Sequence, residues 1–199
     1  SFAIGDAQKW KNVTWIVGEA GCGKTTAAKA YQETHKEAFY ILCSEDMKRS
    51  DFIREIAHKI GIKTDGCSLR ETLESVMDEL VQMENPILLF DEADKLTDTV
   101  FHYFITIYNR VEDQCGICFF STNYIQRRMS AGLRNNKKGY NEMHSRIGRK
   151  FFELEKTTSR DVYTIAMQNG LTDKKEISEV IHDAEGYAFD LRRVKKAIH

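Results

Sequence analysis

A single proline, Pro86, stands in 199 residues. That excludes proline-rich linkers and polyproline segments. Hydrophobic residues make up 42% and charged residues 30%, so the chain has the balance of a globular protein rather than a disordered one. Long apolar runs are also missing. None approaches the roughly 20 residues that cross a bilayer, so no membrane partner is expected. The start, Ser1-Phe2-Ala3-Ile4-Gly5-Asp6, has no basic stretch leading into an apolar one, so no secretory leader is read. Five cysteines, an odd number without a leader, suit a reducing cytosol. Cys115 and Cys118 have CxxC spacing but no second pair to complete a zinc site, and they read as small apolar residues of a buried strand. With no initiator Met, the chain reads as a fragment whose flanking domains are missing.

Net charge is also lacking, at −1 overall. Its distribution is uneven. Between Tyr124 and Lys150 stand Arg127, Arg128, Arg134, Lys137, Lys138, Arg146, Arg149 and Lys150 against Glu142 alone, a balance of +7 that leaves −8 for the rest. Such asymmetry points to an anionic partner.

Apolar patterning alternates between strand and helix as far as residue 155. The runs at 13–17, 38–43, 87–90, 116–121 and 151–154 read as strands. Helices are expected at 24–34, at 50–60 with Ser50 as its cap, after Ser68 with a Ser68/Glu71 capping box, and at 98–111. The basic segment reads as a loop with a short helix at most. The order predicts an α/β fold with a parallel five-stranded sheet flanked by helices. Residues 156–199 read as three amphipathic helices without a strand. The expected division is therefore an α/β core at 1–155 and a small helical lid at 156–199.

Gly18-Glu19-Ala20-Gly21-Cys22-Gly23-Lys24-Thr25 fits G-x-x-x-x-G-K-[ST] at every fixed position, between a strand and a helix. Gly18, Gly21 and Gly23 let backbone N–H groups turn inward around a phosphate, to which Cys22 and Thr26 add contacts. Lys24 is placed for the β and γ phosphates, and Thr25 for Mg²⁺. The helix that follows aims its N-terminus at the same anion. ATP with Mg²⁺ is the expected ligand. Ile87-Leu88-Leu89-Phe90 delivers Asp91 at a strand end, where α/β sheets bind ligands. Asp91 is the second candidate Mg²⁺ group. Glu92 is placed to polarise an attacking water, which suits hydrolysis. Asn123, at the end of another strand, is placed to orient that water.

Together these residues resemble the AAA+ ATPases. The resemblance implies that Asn123 is a first sensor of nucleotide state. It also implies that an arginine of Ser145-Arg146-Ile147-Gly148-Arg149-Lys150, Arg146 first and Arg149 second, reaches a neighbouring subunit's nucleotide. Arg192, in Phe189-Asp190-Leu191-Arg192-Arg193, corresponds to the lid arginine, although Phe189 replaces the usual glycine. Three pieces, GEAGCGKTTAAKAY, LLFDEADKL and SRIGRK, are similar to the Mu B family of target-DNA-selection ATPases of phage. Many of those relatives have proline where this chain has Ala20, and an N-terminal helix-turn-helix region for which there is no room before Trp10.

The likeness to that family implies an ATPase in the cytoplasm of a bacterial host. It would assemble on double-stranded DNA as a homo-oligomer, a helical filament or ring, in the ATP state. It would capture target DNA for a transposase, and hydrolysis would release the DNA. Lys48, Arg49, Arg127, Arg128, Lys137 and Lys138 are the candidate phosphate contacts, with little sequence preference. A helicase-loader or replication-initiation ATPase would share every nucleotide residue. A nucleotide-gated protein-binding ATPase would show turnover indifferent to DNA. A small-molecule kinase fits the Asp91-Glu92 pair and the Asn123 and Arg192 positions less well.

Overall fold

The computed structural model describes residues 2–198. Five strands form one parallel sheet, as the alternating pattern predicts: β1 (Val13–Val17), β2 (Ala38–Leu42), β3 (Ile87–Asp91), β4 (Gly116–Ser121) and β5 (Phe152–Glu153). Their order across the sheet is β2-β3-β4-β1-β5. Every residue of β3 and of β4 is buried. This is why both strands read as unbroken apolar runs rather than alternating ones. The short β5 pairs only Ile16 with Phe152 and Val17 with Glu153.

Register sets Phe90 beside Phe119 and Phe119 beside Trp15. Their rings continue that row across three strands. Phe90 and Phe119 stack at 5.3 Å, and Phe119 and Trp15 at 4.6 Å. Phe52 extends the row at 5.2 Å from Phe90, and Phe104 meets Phe119 edge-on at 4.8 Å. The buried Trp15 indole donates to Ser121 Oγ at 2.8 Å, so its N–H is satisfied.

Around the sheet lie α1 (Phe2–Trp10), α2 (Lys24–Thr34), α3 (Arg49–Lys59), α4 (Leu69–Gln82), α5 (Asp98–Val111), α6 (Tyr124–Arg134) and α7 (Tyr140–Arg146). The expected capping box of α4 is present. Glu71 N donates to Ser68 Oγ at 3.2 Å, and Ser68 N to Glu71 Oε2 at 2.7 Å.

Two expectations need correction. The first concerns α3, which starts at Arg49 rather than at Ser50. The Asp51 carboxylate accepts from Lys48 N at 2.9 Å and fixes the start there, so Ser50 lies inside the helix. The second is the basic segment, which forms two helices and not a loop. Ile125 and Met129 on α6, and Tyr140, Met143 and Ile147 around α7, recur at helical spacing and are buried. The surrounding charges obscure that spacing. One element, α1, was not revealed by the pattern, because Gly5 and Asp6 interrupt a nine-residue segment. Packing sustains this helix: Ile4, Ala7 and Gln8 are buried, and a Cβ on Gly116 would come within 2.5 Å of the Ala7 carbonyl. Only glycine lets the helix lie that close to β4.

Cys43, Cys115 and Cys118 are buried, and no described group of His, Cys, Asp and Glu could hold a metal ion through three or more of them. Burial pushes the Cys115 thiol up to about 12, and it stays protonated at neutral pH. No described helix is long and apolar enough to cross a membrane.

A second compact unit comprises Gly18–Lys24 and the residues from Leu154 on. Its helices are α8 (Ser159–Gln168), α9 (Lys174–Glu185) and α10 (Leu191–Ile198), packed around Val162, Val180, Ala184 and Val194. Thr158 and Asp173 cap α8 and α9.

Candidate functional site

The loop at 18–24 belongs to the helical unit. Gly21 and Gly23 have φ of 81° and 88°, left-handed values that favour glycine. Lys24 Nζ donates to the carbonyls of Gly18 at 2.8 Å and Glu19 at 2.9 Å, and lies 3.4 Å from Cys22 Sγ. The ammonium is thus held over its own loop. The segment that opens α10 is bound to the same loop, with Leu191 N donating to Gly21 O at 3.0 Å. A Cβ on Gly21 would fall 2.3 Å from Asp190 Oδ1. The Asp190 carboxylate also accepts from Arg192 N at 2.8 Å, capping α10. Arg192 is exposed, and its guanidinium has no hydrogen bond among the described residues. Its neighbour Arg193 is spent on structure, making two 2.7 Å bonds to Asp183 and lying 3.5 Å over the Tyr187 ring.

In the α/β unit, β3 ends at Asp91, which is only 2% exposed. Thr25 Oγ1 donates to Asp91 Oδ2 at 2.6 Å, and Glu92 N to Asp91 Oδ1 at 3.0 Å. The structure therefore brings together the two residues expected to share Mg²⁺. A buried carboxylate and a hydroxyl are hard oxygen donors of the kind that ion takes, and no lysine or arginine among the described residues pairs with Asp91. The donor set fits Mg²⁺. Sequence reasoning missed Tyr40 of β2, whose hydroxyl donates to Asp91 Oδ2 at 2.8 Å. Burial first, then the Asp91 carboxylate, push the Tyr40 phenol above its ordinary pKa. The signal was a polar ring in the otherwise apolar run Ala38-Phe39-Tyr40-Ile41-Leu42 on the neighbouring strand.

Glu92 follows with φ 55°, left-handed for a residue that is not glycine. Such a conformation costs on the order of 1–2 kcal/mol and tends to persist at functional sites. Its carboxylate meets Lys95 Nζ, with both side chains 41% exposed. An ion pair this open is worth little and leaves Glu92 free to turn. Asn123 leaves the same carboxyl end of the sheet, from the strand beside β3. β4 closes at Ser121, however, and Asn123 is the exposed residue before α6, with no side-chain bond among the described residues. Thr122 makes the connection to the β3 side, donating to Asp94 Oδ2 at 2.7 Å.

The basic residues divide into two groups. Arg128 stands apart from the others because its guanidinium is engaged within the protein. Its side chain is 15% exposed. Its Nε donates to Tyr140 Oη at 3.0 Å, one terminal nitrogen to the Asp94 and Leu96 carbonyls at 3.0 and 2.7 Å, and the other to Asp98 at 2.7 Å. The guanidinium also lies 4.4 Å over Phe101. Asp98 further accepts from Tyr140 Oη at 2.7 Å and pairs with Lys137. Burial acts to raise the Asp98 pKa, but the bonds from Lys137, Tyr140 and Arg128 outweigh it and hold the carboxyl well below the usual range.

A depressed carboxylate contributes stability above its unfolded pKa, near 4, and loses it as pH falls through the folded value. Arg128→Met is expected to cost about 2–3 kcal/mol and to shrink the acid-side loss of stability. Urea titrations at pH 7 and pH 3 check both.

Arg127, Lys137 and Lys138 are exposed, as are Lys48 and Arg49 at the start of α3. Arg49 lies 5.3 Å over the Tyr103 ring. Arg146 is turned inward, donating to Asn109 Oδ1 at 2.9 Å and lying 5.0 Å over Tyr108. Arg149 is exposed at φ 58°.

A family model described as an AAA domain matches residues 8–129. No curated protein matches the chain. Among solved structures, the Aeropyrum pernix ORC1 protein in complex with DNA superposes with a TM-score of 0.65 at 16% identity, over 92% of this chain and 51% of that one. AMPPCP-bound DnaA from Aquifex aeolicus gives 0.59 at 19%, over 92% and 53%. The replication initiator DnaA bound to AMPPCP and single-stranded DNA gives 0.62 at 17%, over 99% and 57%. Identities this low describe a shared fold, and this chain spans about half the length of those proteins. A glycine-rich loop after β1, an acidic pair at the end of β3 and a match covering more than half the sequence lead to one family: the chain belongs to the AAA domains of the AAA+ ATPases.

Proposed function

We propose that this chain is a Mg²⁺-dependent ATPase that binds double-stranded DNA in its ATP state and releases it on hydrolysis. The observation that carries the reading is the Thr25–Asp91 contact at 2.6 Å at the end of β3, with Glu92 next in sequence. Gly18, Gly21, Cys22, Gly23 and Thr26 bind the phosphates, and Lys24 leaves its loop carbonyls for the β and γ oxygens. Thr25 and Asp91 would hold Mg²⁺, which when bound would offset the negative charge of the phosphates. Glu92 accepts the proton of the attacking water. The water oxygen bonds to the γ-phosphorus as the bond to the β–γ bridging oxygen breaks, giving ADP and phosphate. Asn123 orients the water, and Arg192 in the proposed lid, 156–199, senses the γ-phosphate.

A homo-oligomer brings an arginine of one subunit to its neighbour's nucleotide. Arg149 is better disposed for this than Arg146, which would first have to leave Asn109 and Tyr108. Lys48, Arg49, Arg127, Lys137 and Lys138, all exposed, are the proposed phosphate contacts.

The likeness of three sequence pieces to the Mu B family supports target-DNA capture for a transposase as the biological role, in a bacterial cytoplasm. The replication-initiation alternative draws support from the fold shared with the replication initiator DnaA. Anisotropy of a labelled random-sequence duplex, titrated with the protein plus ATP, ADP or no nucleotide at two salt concentrations, tests the shared core. Tight binding with ATP alone, weakening at higher salt, is expected. Equal binding in all three states would overturn nucleotide control. Preference for a single strand of the same sequence would favour the initiation reading.

A further inference from the structure

Asp91 accepts three hydrogen bonds, from groups of different kinds. The Glu92 N–H is backbone and adjacent. The Thr25 hydroxyl is itself a candidate metal ligand, so its oxygen has a second duty when the ion arrives. The Tyr40 hydroxyl is neither. It reaches Asp91 Oδ2 from β2, the strand hydrogen-bonded to β3. Tyr40 is 8% exposed, and Lys29 Nζ lies 5.4 Å over the opposite end of the contact, at the ring. The ring is thus buried on β2 with its hydroxyl engaged. A buried phenol with one partner is a directed donor.

We infer that Tyr40 is a positioning residue for the metal. It fixes the rotation of the Asp91 carboxylate so that Oδ1 and Oδ2 keep one orientation whether or not the ion is bound. The inference rests on the proposed nucleotide site and deepens it. Its physical basis is general: partners that orient a metal ligand typically matter about 10–100-fold in metal affinity. Its hydroxyl acts through Asp91, so its effect belongs in metal affinity rather than in the rate at saturation.

Tyr40→Phe removes one oxygen and keeps the ring. The test uses the full chain with a non-hydrolysable ATP analogue and MnCl₂, with free Mn²⁺ read by electron paramagnetic resonance. The Mn²⁺ dissociation constant is expected to rise about tenfold. Affinity for the analogue in EDTA should not change, and turnover at saturating Mg²⁺ should stay within about twofold of wild type, a split between KM for metal and kcat. A purely structural loss would weaken analogue binding in EDTA as well.

The same substitution in an Asp91→Asn background provides the second readout. With the carboxylate gone, Tyr40→Phe should add no further loss of Mn²⁺ affinity, whereas equal losses in both backgrounds would overturn the inference. An unchanged dissociation constant in the single variant would overturn it too. Wild-type protein that holds no Mn²⁺ with the analogue would instead remove the nucleotide reading on which the inference stands.

Discussion

Glu92→Gln is expected to lower ATP turnover by about a hundredfold or more while leaving ATP affinity within a fewfold of wild type. A positioned general base contributes on the order of 10²–10⁴ to rate. Glutamine keeps the size and the left-handed backbone of Glu92 (φ 55°) but cannot take a proton. The contact between Thr25 and Asp91 does not involve Glu92's side chain, so binding survives the change. If DNA release follows hydrolysis, the variant should also hold a duplex in ATP for far longer than wild type. Single-turnover hydrolysis with radiolabelled ATP, paired with DNA dissociation followed by anisotropy, checks both parts. Full turnover in the variant would remove Glu92 from the chemistry. Lost turnover with an unchanged DNA lifetime would separate hydrolysis from release.

Phe119→Ala is expected to destabilise the α/β unit by about 3–5 kcal/mol. A domain of ordinary stability has only about 5–15 kcal/mol in all, so this one truncation removes a large share. Phe119 is fully buried at the centre of β4 and touches Phe90, Trp15 and Phe104 at once. Neighbours on three sides, two of them on strands, cannot collapse into the void together. Chemical denaturation followed by circular dichroism measures the loss. Phe119→Leu, which fills most of the volume, should cost less than half as much. A loss below about 1 kcal/mol for alanine would mean that the aromatic row is not the mechanical centre of the sheet.

What the sequence made legible was what local chemistry decides. The glycine-rich loop at 18–25 is a contiguous pattern whose spacing follows from phosphate geometry. The run Ile87–Asp91 is apolar because both its faces are covered. The Ser68/Glu71 box lies within four residues. The features it concealed depend on distant partners. Tyr40 becomes notable only because β2 lies beside β3, setting it against a carboxylate 51 positions away. Arg128 looks like its exposed neighbour Arg127 until Asp98, Tyr140 and two carbonyls close around it. The helix at Phe2–Trp10 has poor local signals, and β4 holds it in place through Gly116. Asn123 lies two residues beyond the strand that was expected to carry it.

The hydrogen bond from Leu191 N to Gly21 O, with Asp190 filling the space over Gly21, bears on how the protein can be divided. A cut at residue 155, natural on a reading of strands against helices, separates the glycine loop from the segment that covers it. The isolated 1–155 piece would keep every letter of the phosphate motif yet expose the Gly21 carbonyl and lose the backing of the loop. Deletion and domain-swap designs therefore have to carry the terminal helices along with residues 18–24, because the loop and those helices are one building block interrupted in sequence by the sheet.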